Sequence, residues 1–290
     1  MAIEYKEHYG LTDDELANYP TVYSTDLLEG QVALVSGAAT GIGRGIASLF
    51  ARLGADLVIC GRNEERLAEA AEFLRRFGGK VLAVPMTIRD PEQVESLMDK
   101  TWEEYGRLDH LINNAGGQFA QDAIDISYKG WQAVIDTNLN GSWYMMQNAA
   151  KRWRDNEQPG SIITITAEVW RGISQMAHTT ASRAGIIFLS KTLAVEWAPF
   201  NIRINTVAPG AIESSGFNNY SDEGRSTFYG AGVMKRPGHV MDIAEACVYL
   251  SSHSGNYVTG ETVTVGGGMS LWGEIWPAGK PDYFKYPGEK

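Results

Sequence analysis

The stretch Ser36-Gly37-Ala38-Ala39-Thr40-Gly41-Ile42-Gly43 constrains the chain most. It follows the apolar run Val32-Ala33-Leu34-Val35, which reads as a buried strand. It opens a pattern of Ile46, Leu49, Phe50 and Leu53, which reads as a helix. A strand that turns through glycines into a helix leaves unpaired N–H groups and a positive dipole end at the turn. Those groups suit the phosphates of a dinucleotide, and glycine allows both the tight turn and the close approach. Such turns also join strands to helices with no ligand at all.

Three more motifs follow in order: Asn113-Asn114-Ala115-Gly116, Thr137-Asn138-Leu139 and Pro209-Gly210. With the G-x-x-x-G-x-G spacing of the first turn, they resemble the short-chain dehydrogenase/reductase family over about residues 29 to 273. The resemblance implies an α/β fold, a single doubly wound parallel seven-stranded sheet of Rossmann type with helices on both faces. It also implies a nicotinamide cofactor and a homotetramer. The expected organisation is an N-terminal arm at 1–29 and a dinucleotide-binding domain at 30–270. A substrate loop is expected at about 211–236 and an aromatic tail at 271–290. The arm packs either on a neighbouring subunit or on its own sheet.

The 290 residues suffice for one such domain with decorations. A net charge of −10 argues against nucleic acid or an anionic membrane as general partners. The same charge offers little general attraction to the phosphates of coenzyme A. Cys60 and Cys247 sit in apolar runs, which points to a reducing compartment without a disulfide framework. The first thirty residues lack an apolar segment and carry many acids, and no run approaches membrane-spanning length. Pro287-Gly288-Glu289-Lys290 is not a peroxisomal address of the S-K-L kind. The expectation is a cytoplasmic protein with no membrane contact and no metal site.

The cofactor residues are expected along the carboxyl edge of the sheet. Gly37, Thr40, Gly41, Ile42 and Gly43 form the phosphate turn. Asp56-Leu57-Val58-Ile59-Cys60 reads as the second strand, and an acid at its end would bond the ribose 2′-OH of NAD. Here the chain reads Cys60-Gly61-Arg62-Asn63, with no acid. Arg62 can pair bidentately with a 2′-phosphate, with Arg44 placed to help, or it is a solvated residue before a helix capped by Asn63. NADP (NADPH) is expected rather than NAD. Thr87 stands where the family often has an adenine-contacting Asp, followed by Ile88. Asn114, Ala115 and Gly116 flank the cofactor in the family. The resemblance implies that Pro209, Gly210, Ile212 and Ser214 close over the nicotinamide, Ile212 through its backbone. Gly266-Gly267-Gly268 stands where the family often has Asp-Gly-Gly.

A typical member places Ser after the fifth strand, Ser161-Ile162-Ile163-Thr164-Ile165-Thr166, and Tyr-x-x-x-Lys on the next helix. This chain departs from that pattern. Arg183 takes the Lys position and Thr179 the Tyr position, with the register fixed by Leu189, Leu193, Ala194 and Trp197. The Ser position falls on Ala167, or on Thr166 if the loop slips by one. Asn138 alone survives of the four, where the family helix is locally kinked. The changes agree with one another. A Lys that tunes a phenol has no task once the phenol is gone, and Arg can still bond ribose hydroxyls. Thr does not ionise near neutrality, so proton transfer at a carbonyl oxygen loses its usual agent.

Reduction of an activated carbon–carbon double bond has other needs. Hydride adds to the β-carbon and charge collects on a thioester oxygen, where hydrogen-bond donors lower the barrier. Gly117-Gln118-Phe119, the segment around Asn138 and His178-Thr179 with Arg183-Ala184-Gly185 resemble the trans-2-enoyl-CoA reductase branch, and less closely the dienoyl-CoA reductases. Candidate acids are Tyr144, Glu168 and His178. Each has a plainer reading, as a core tyrosine, a surface carboxylate and a helix-start histidine. The first functional expectation is an NADPH-dependent reductase of an activated carbon–carbon double bond, with a trans-2-enoyl thioester as the best single substrate, carried by coenzyme A or not. The rivals are a carbonyl reductase or alcohol dehydrogenase with a substituted proton donor, and a cofactor-binding protein without redox activity. Lys235 and Arg236 either meet a coenzyme A phosphate or are solvated. The aromatics of 215–236 and of the tail suit a substrate loop and a docking segment.

Overall fold

The computed structural model describes residues 9–219, 221–222, 224–225, 232–271 and 282. The tail aromatics Trp272, Trp276, Tyr283, Phe284 and Tyr286, and the loop aromatics Tyr220, Phe228 and Tyr229, lie outside them.

Seven strands form one parallel sheet: β1 (Val32–Ser36), β2 (Asp56–Gly61), β3 (Val81–Pro85), β4 (His110–Asn113), β5 (Gly160–Ile165), β6 (Ile202–Pro209) and β9 (Thr262–Val265). Their order is β3-β2-β1-β4-β5-β6-β9. The short strands β7 (Ile212–Glu213) and β8 (Gly238–His239) pair separately and close the base of the segment between them. The order turns back at β1, whose neighbours are β2 and β4, so a crevice opens at their carboxyl ends.

Alternation along the strands sends side chains into two apolar layers. Ala33 and Val35 face the layer built with helices α2 (Gly41–Arg52), α3 (Glu64–Arg75) and Val240–Ser251. Val32 and Leu34 face the layer of α4 (Pro91–Tyr105), α6 (Ser142–Asp155) and α7 (Ala177–Glu196). Buried on both sides, the central strands read as unbroken β-branched and aliphatic runs. The helix ends follow local chemistry. Asn63 and Asp90 accept hydrogen bonds from first-turn N–H groups, and Gly106 ends α4 in the left-handed region.

Two features decide the site. Between α5 (Tyr128–Ile135) and α6, residues Asp136–Gly141 form a π-turn with Asn138 inside it, the local kink the resemblance implies. The described part of the N-terminal arm, residues 9–29, packs on its own subunit. Its helix α1 (Asp13–Asn18) docks on α2, and Leu16 joins the core. The helix Val240–Ser251 is α8 below. Among the described residues, no helix is long and apolar enough to cross a membrane.

Candidate active site

At the end of β1 the Ser36 hydroxyl accepts hydrogen bonds from the Asn114 and Ala115 N–H groups, each at 3.0 Å. The Asn114 amide answers by donating to the Ser36 and Gly37 carbonyls at 3.0 and 3.2 Å. These bonds fuse the glycine turn to the end of β4. A Cβ on Gly43 would stand 2.3 Å from the Gly37 carbonyl and 2.4 Å from the Asn114 amide nitrogen, so only glycine fits there. Thr40 precedes α2 without a side-chain cap, leaving the first N–H groups of the helix facing a cleft of about 660 Å³. Gly37, Thr40, Gly41 and Ile42 line that cleft. An uncapped helix start behind a turn with no room for a Cβ fits a dinucleotide pyrophosphate.

At the β2 end the cleft is walled by Cys60, Gly61, Arg62, Asn63 and Arg66, and beyond β3 by Thr87, Ile88 and Arg89. Arg62, Arg66 and Arg89 are exposed, and the wall contains no carboxylate. Arg89 donates to the Thr137 hydroxyl at 2.5 Å. The Asn63 side chain is spent on the cap of α3, accepting from the Arg66 N–H at 2.8 Å. Arg44 does not join this group. Its guanidinium pairs with both oxygens of Asp13 at 2.7 and 2.8 Å and lies 4.6 Å from the Phe73 ring centre. Sequence reasoning missed Arg66 and Arg89. The first is signalled by its place in the opening turn of a helix at the cleft, the second by nothing local.

On the far side, Asn114, Ala115, Gly116 and Ser214 reach the cleft wall, joined by Ser215 and Gly216. Pro209, Gly210 and Ile212 stand at the ends of β6 and β7. Gly210 donates to the Val265 carbonyl at 3.1 Å and Ile212 pairs with Gly238. Arg236 turns to the Pro237 carbonyl at 3.1 Å and lies 3.8 Å from Asp242.

Helix α7 brings His178, Thr179, Ser182 and Arg183 together, all buried. Thr179 and Arg183 are one turn apart on one face. Arg183 donates to the Ile165 carbonyl at 2.9 Å and its other arm lies against Gly116, where a Cβ would stand 2.2 Å from it. Burial pulls its pKa down to about 10, so it stays charged at neutrality. Asn138 is fully buried. Its oxygen accepts from the Gly117 N–H at 2.9 Å, and its nitrogen donates to the Gly117 carbonyl at 3.0 Å and the Ser182 hydroxyl at 3.3 Å. Ser182 in turn donates to the Thr179 carbonyl at 3.0 Å. The π-turn, the loop after β4 and the head of α7 are thereby one hydrogen-bonded unit.

His178 has a fixed role in this unit. The Thr179 N–H donates to its Nδ1 at 2.7 Å, so Nδ1 is an acceptor and the ring proton sits on Nε2. That Nε2–H is buried and has no hydrogen-bond partner among the described residues. The Phe119 ring meets the imidazole edge-on at 4.5 Å. Burial lowers the imidazole pKa and keeps the ring neutral. His178 is therefore placed as a hydrogen-bond donor, while the Thr179 hydroxyl lies 3.3 Å from its Nδ1.

The other candidate acids are placed elsewhere. Tyr144 packs half-buried in the apolar layer beside Trp143. Glu168 is buried against Gly266, where a Cβ would stand 1.3 Å from its Oε1. Burial raises its pKa, and Ser270 and Arg171 nearby pull it partly back. Neither carboxyl oxygen completes a hydrogen bond among the described residues. Thr166 commits its hydroxyl to the Val207 carbonyl at 3.0 Å, and Ala167 beside it carries no hydroxyl.

Comparison with known proteins accords with this geometry. The family model described as Enoyl-(Acyl carrier protein) reductase matches residues 37–270. A peroxisomal 2,4-dienoyl-CoA reductase, (3E)-enoyl-CoA-producing, from Danio rerio is 35% identical over 267 residues, covering 90% of this chain and 88% of that protein. A 3-oxoacyl-(acyl-carrier-protein) reductase from Thermotoga maritima is 34% identical, covering 84% of this chain and 99% of its own length. Among solved structures, the citronellol catabolism dehydrogenase of Pseudomonas aeruginosa PAO1 superposes with a TM-score of 0.78. It is 33% identical and covers 87% of this chain and 100% of that one.

Proposed function

We propose that this chain, which belongs to the short-chain dehydrogenase/reductase family, is an NADPH-dependent reductase of a carbon–carbon double bond conjugated with a thioester. One observation carries the reading. The head of α7 carries Thr179, which does not ionise near neutrality, where the resemblance places a tyrosine, and beside it the His178 Nε2–H, buried with no hydrogen-bond partner among the described residues.

A bound nicotinamide supplies the hydride. The electrophilic carbon of a trans-2-enoyl thioester accepts it, and the negative charge moves to the thioester oxygen. Thr179 and His178 stabilise that oxygen without transferring a proton to it. The proton for the α-carbon comes from water. Arg183, charged and pinned between Ile165 and Gly116, orients the ribose hydroxyls. Asn138 and Ser182 hold Gly117 and Thr179 at a fixed spacing. Arg62, Arg66 and Arg89, with no opposing carboxylate in the cleft wall, support the 2′-phosphate of NADPH over NADH. Exposed Phe188 and Val195 on α7 support a self-associating face, and a homotetramer is the assembly we propose.

The test is NADPH consumption with 2-enoyl and 2,4-dienoyl thioesters, simple enones, 3-oxoacyl thioesters and ketones in parallel, with NADH as the control. Turnover of the unsaturated thioesters, with loss of one double bond in the product, is the expected result. Turnover of 3-oxoacyl thioesters or ketones alone would replace this reading with carbonyl reduction, the activity in the Thermotoga maritima relative's name.

A further inference from the structure

The described part of the N-terminal arm starts at Tyr9, beside the segment that walls the cleft. Tyr9 is buried at 5% exposure, with its ring 5.8 Å from that of Phe217 and 4.8 Å beneath the Arg225 guanidinium. Gly10 runs so close to the next segment that a Cβ there would stand 3.4 Å from the Ser214 Cα and 3.5 Å from the Ser215 nitrogen. Ser214 and Ser215 in turn face the phosphate turn, since a Cβ on Gly41 would meet the Ser215 hydroxyl at 3.5 Å. Arm, covering segment and glycine turn are thus stacked in that order.

Behind Tyr9 the arm is anchored by Asp13, by the Leu16 and Tyr19 carbonyls and by the Tyr19 hydroxyl. Thr12 and Glu15 close a capping box on α1. Asp13 holds Arg44, the fourth residue of α2. Arg52, at the other end of α2, donates to the Leu16 and Tyr19 carbonyls at 3.0 and 2.7 Å. The Tyr19 hydroxyl then bonds the His239 ring at 3.1 Å, and His239 pairs with Glu213. The arm therefore touches the covering segment where it leaves β7 and again where it returns in β8.

We infer that the arm is a strap, with Tyr9 as its positioning residue, that fixes residues 214–217 over the phosphate turn before any ligand arrives. The inference rests on the cleft being the cofactor site. A wall ordered in advance need not be ordered on binding, so the strap acts on cofactor affinity and leaves the chemical step alone. The aromatic ring is what Phe217 and Arg225 touch, so phenylalanine should replace Tyr9 and alanine should not.

The experiment is amide hydrogen exchange on the full chain without ligand, in wild type, Tyr9→Ala, Tyr9→Phe and Asp13→Asn. Exchange at 214–217 should rise about tenfold or more in Tyr9→Ala, with the β1 and β4 amides unchanged and Tyr9→Phe close to wild type. Asp13→Asn loosens the arm without emptying a buried site and should raise the same amides, which covers the case in which Tyr9→Ala does not fold. NADPH titration by fluorescence should show about tenfold weaker binding in Tyr9→Ala with kcat within about twofold. Exchange at 214–217 within about twofold of wild type in both Tyr9→Ala and Asp13→Asn would overturn the strap. A wild-type protein that binds neither dinucleotide would overturn the cofactor reading instead, and the exchange data would still decide the strap.

Discussion

At the scale of single residues, the proposed stabilisation of the thioester oxygen turns on His178. Its Nδ1 accepts from the Thr179 N–H, so protonating Nδ1 must break that bond as well as charge a buried ring. Both effects hold its pKa below the ordinary imidazole value of 6.5. On the proposed reading the neutral donor is the working form. The kcat/KM profile should therefore fall toward acid with its midpoint below pH 6.5. A histidine acting as the proton-donating imidazolium would instead give activity that climbs as pH drops through 6.5. His178→Gln keeps a donor and should retain most activity, whereas His178→Phe should lose about tenfold to a thousandfold in kcat/KM. Equal losses in both variants would reduce His178 to packing against Phe119.

At the scale of elements, the sheet was legible because its signals are local. Apolar runs, glycine turns and caps such as Asn63 and Asp90 need no distant partner to be read. The glycine turn after β1 and Asn113-Asn114-Ala115-Gly116 were legible as local motifs for the same reason, and the structure bonds them to each other. What escaped was settled by distant residues. Arg44 and Arg66 are equivalent on paper, and Asp13 takes the first while the second stays at the cleft. The arm's course depends on Tyr19 meeting His239, 220 positions away. Glu168 reads as a surface carboxylate until Gly266 is seen to leave it a buried slot. That pairing makes a prediction for the two connecting loops. Gly266→Ala should destabilise the fold by about 1–3 kcal/mol through overlap with Glu168. Glu168→Ala in the same chain should recover much of that loss in urea unfolding. Simple addition of the two single effects would show that Glu168 can swing away.

At the scale of the whole molecule, acid stability and the reaction itself are the tests. His110 is buried at the start of β4, bonded to Gln31 at 2.6 Å, and burial holds its pKa down to about 4 against 6.5 when exposed. Between those values the unfolded chain takes up a proton that the folded chain refuses. Stability therefore falls as pH drops from 6.5 to about 4, by up to about 3 kcal/mol from this group. Urea midpoints should decline across that window in wild type, and less steeply in His110→Gln. The reaction is tested most directly by where the hydride lands. With 4-deuterated NADPH and a trans-2-enoyl thioester, mass spectrometry should find one deuterium on the β-carbon of the saturated product and a solvent proton on the α-carbon. An untouched enoyl thioester, together with deuterium on the carbinol carbon formed from a 3-oxoacyl thioester, would contradict the account.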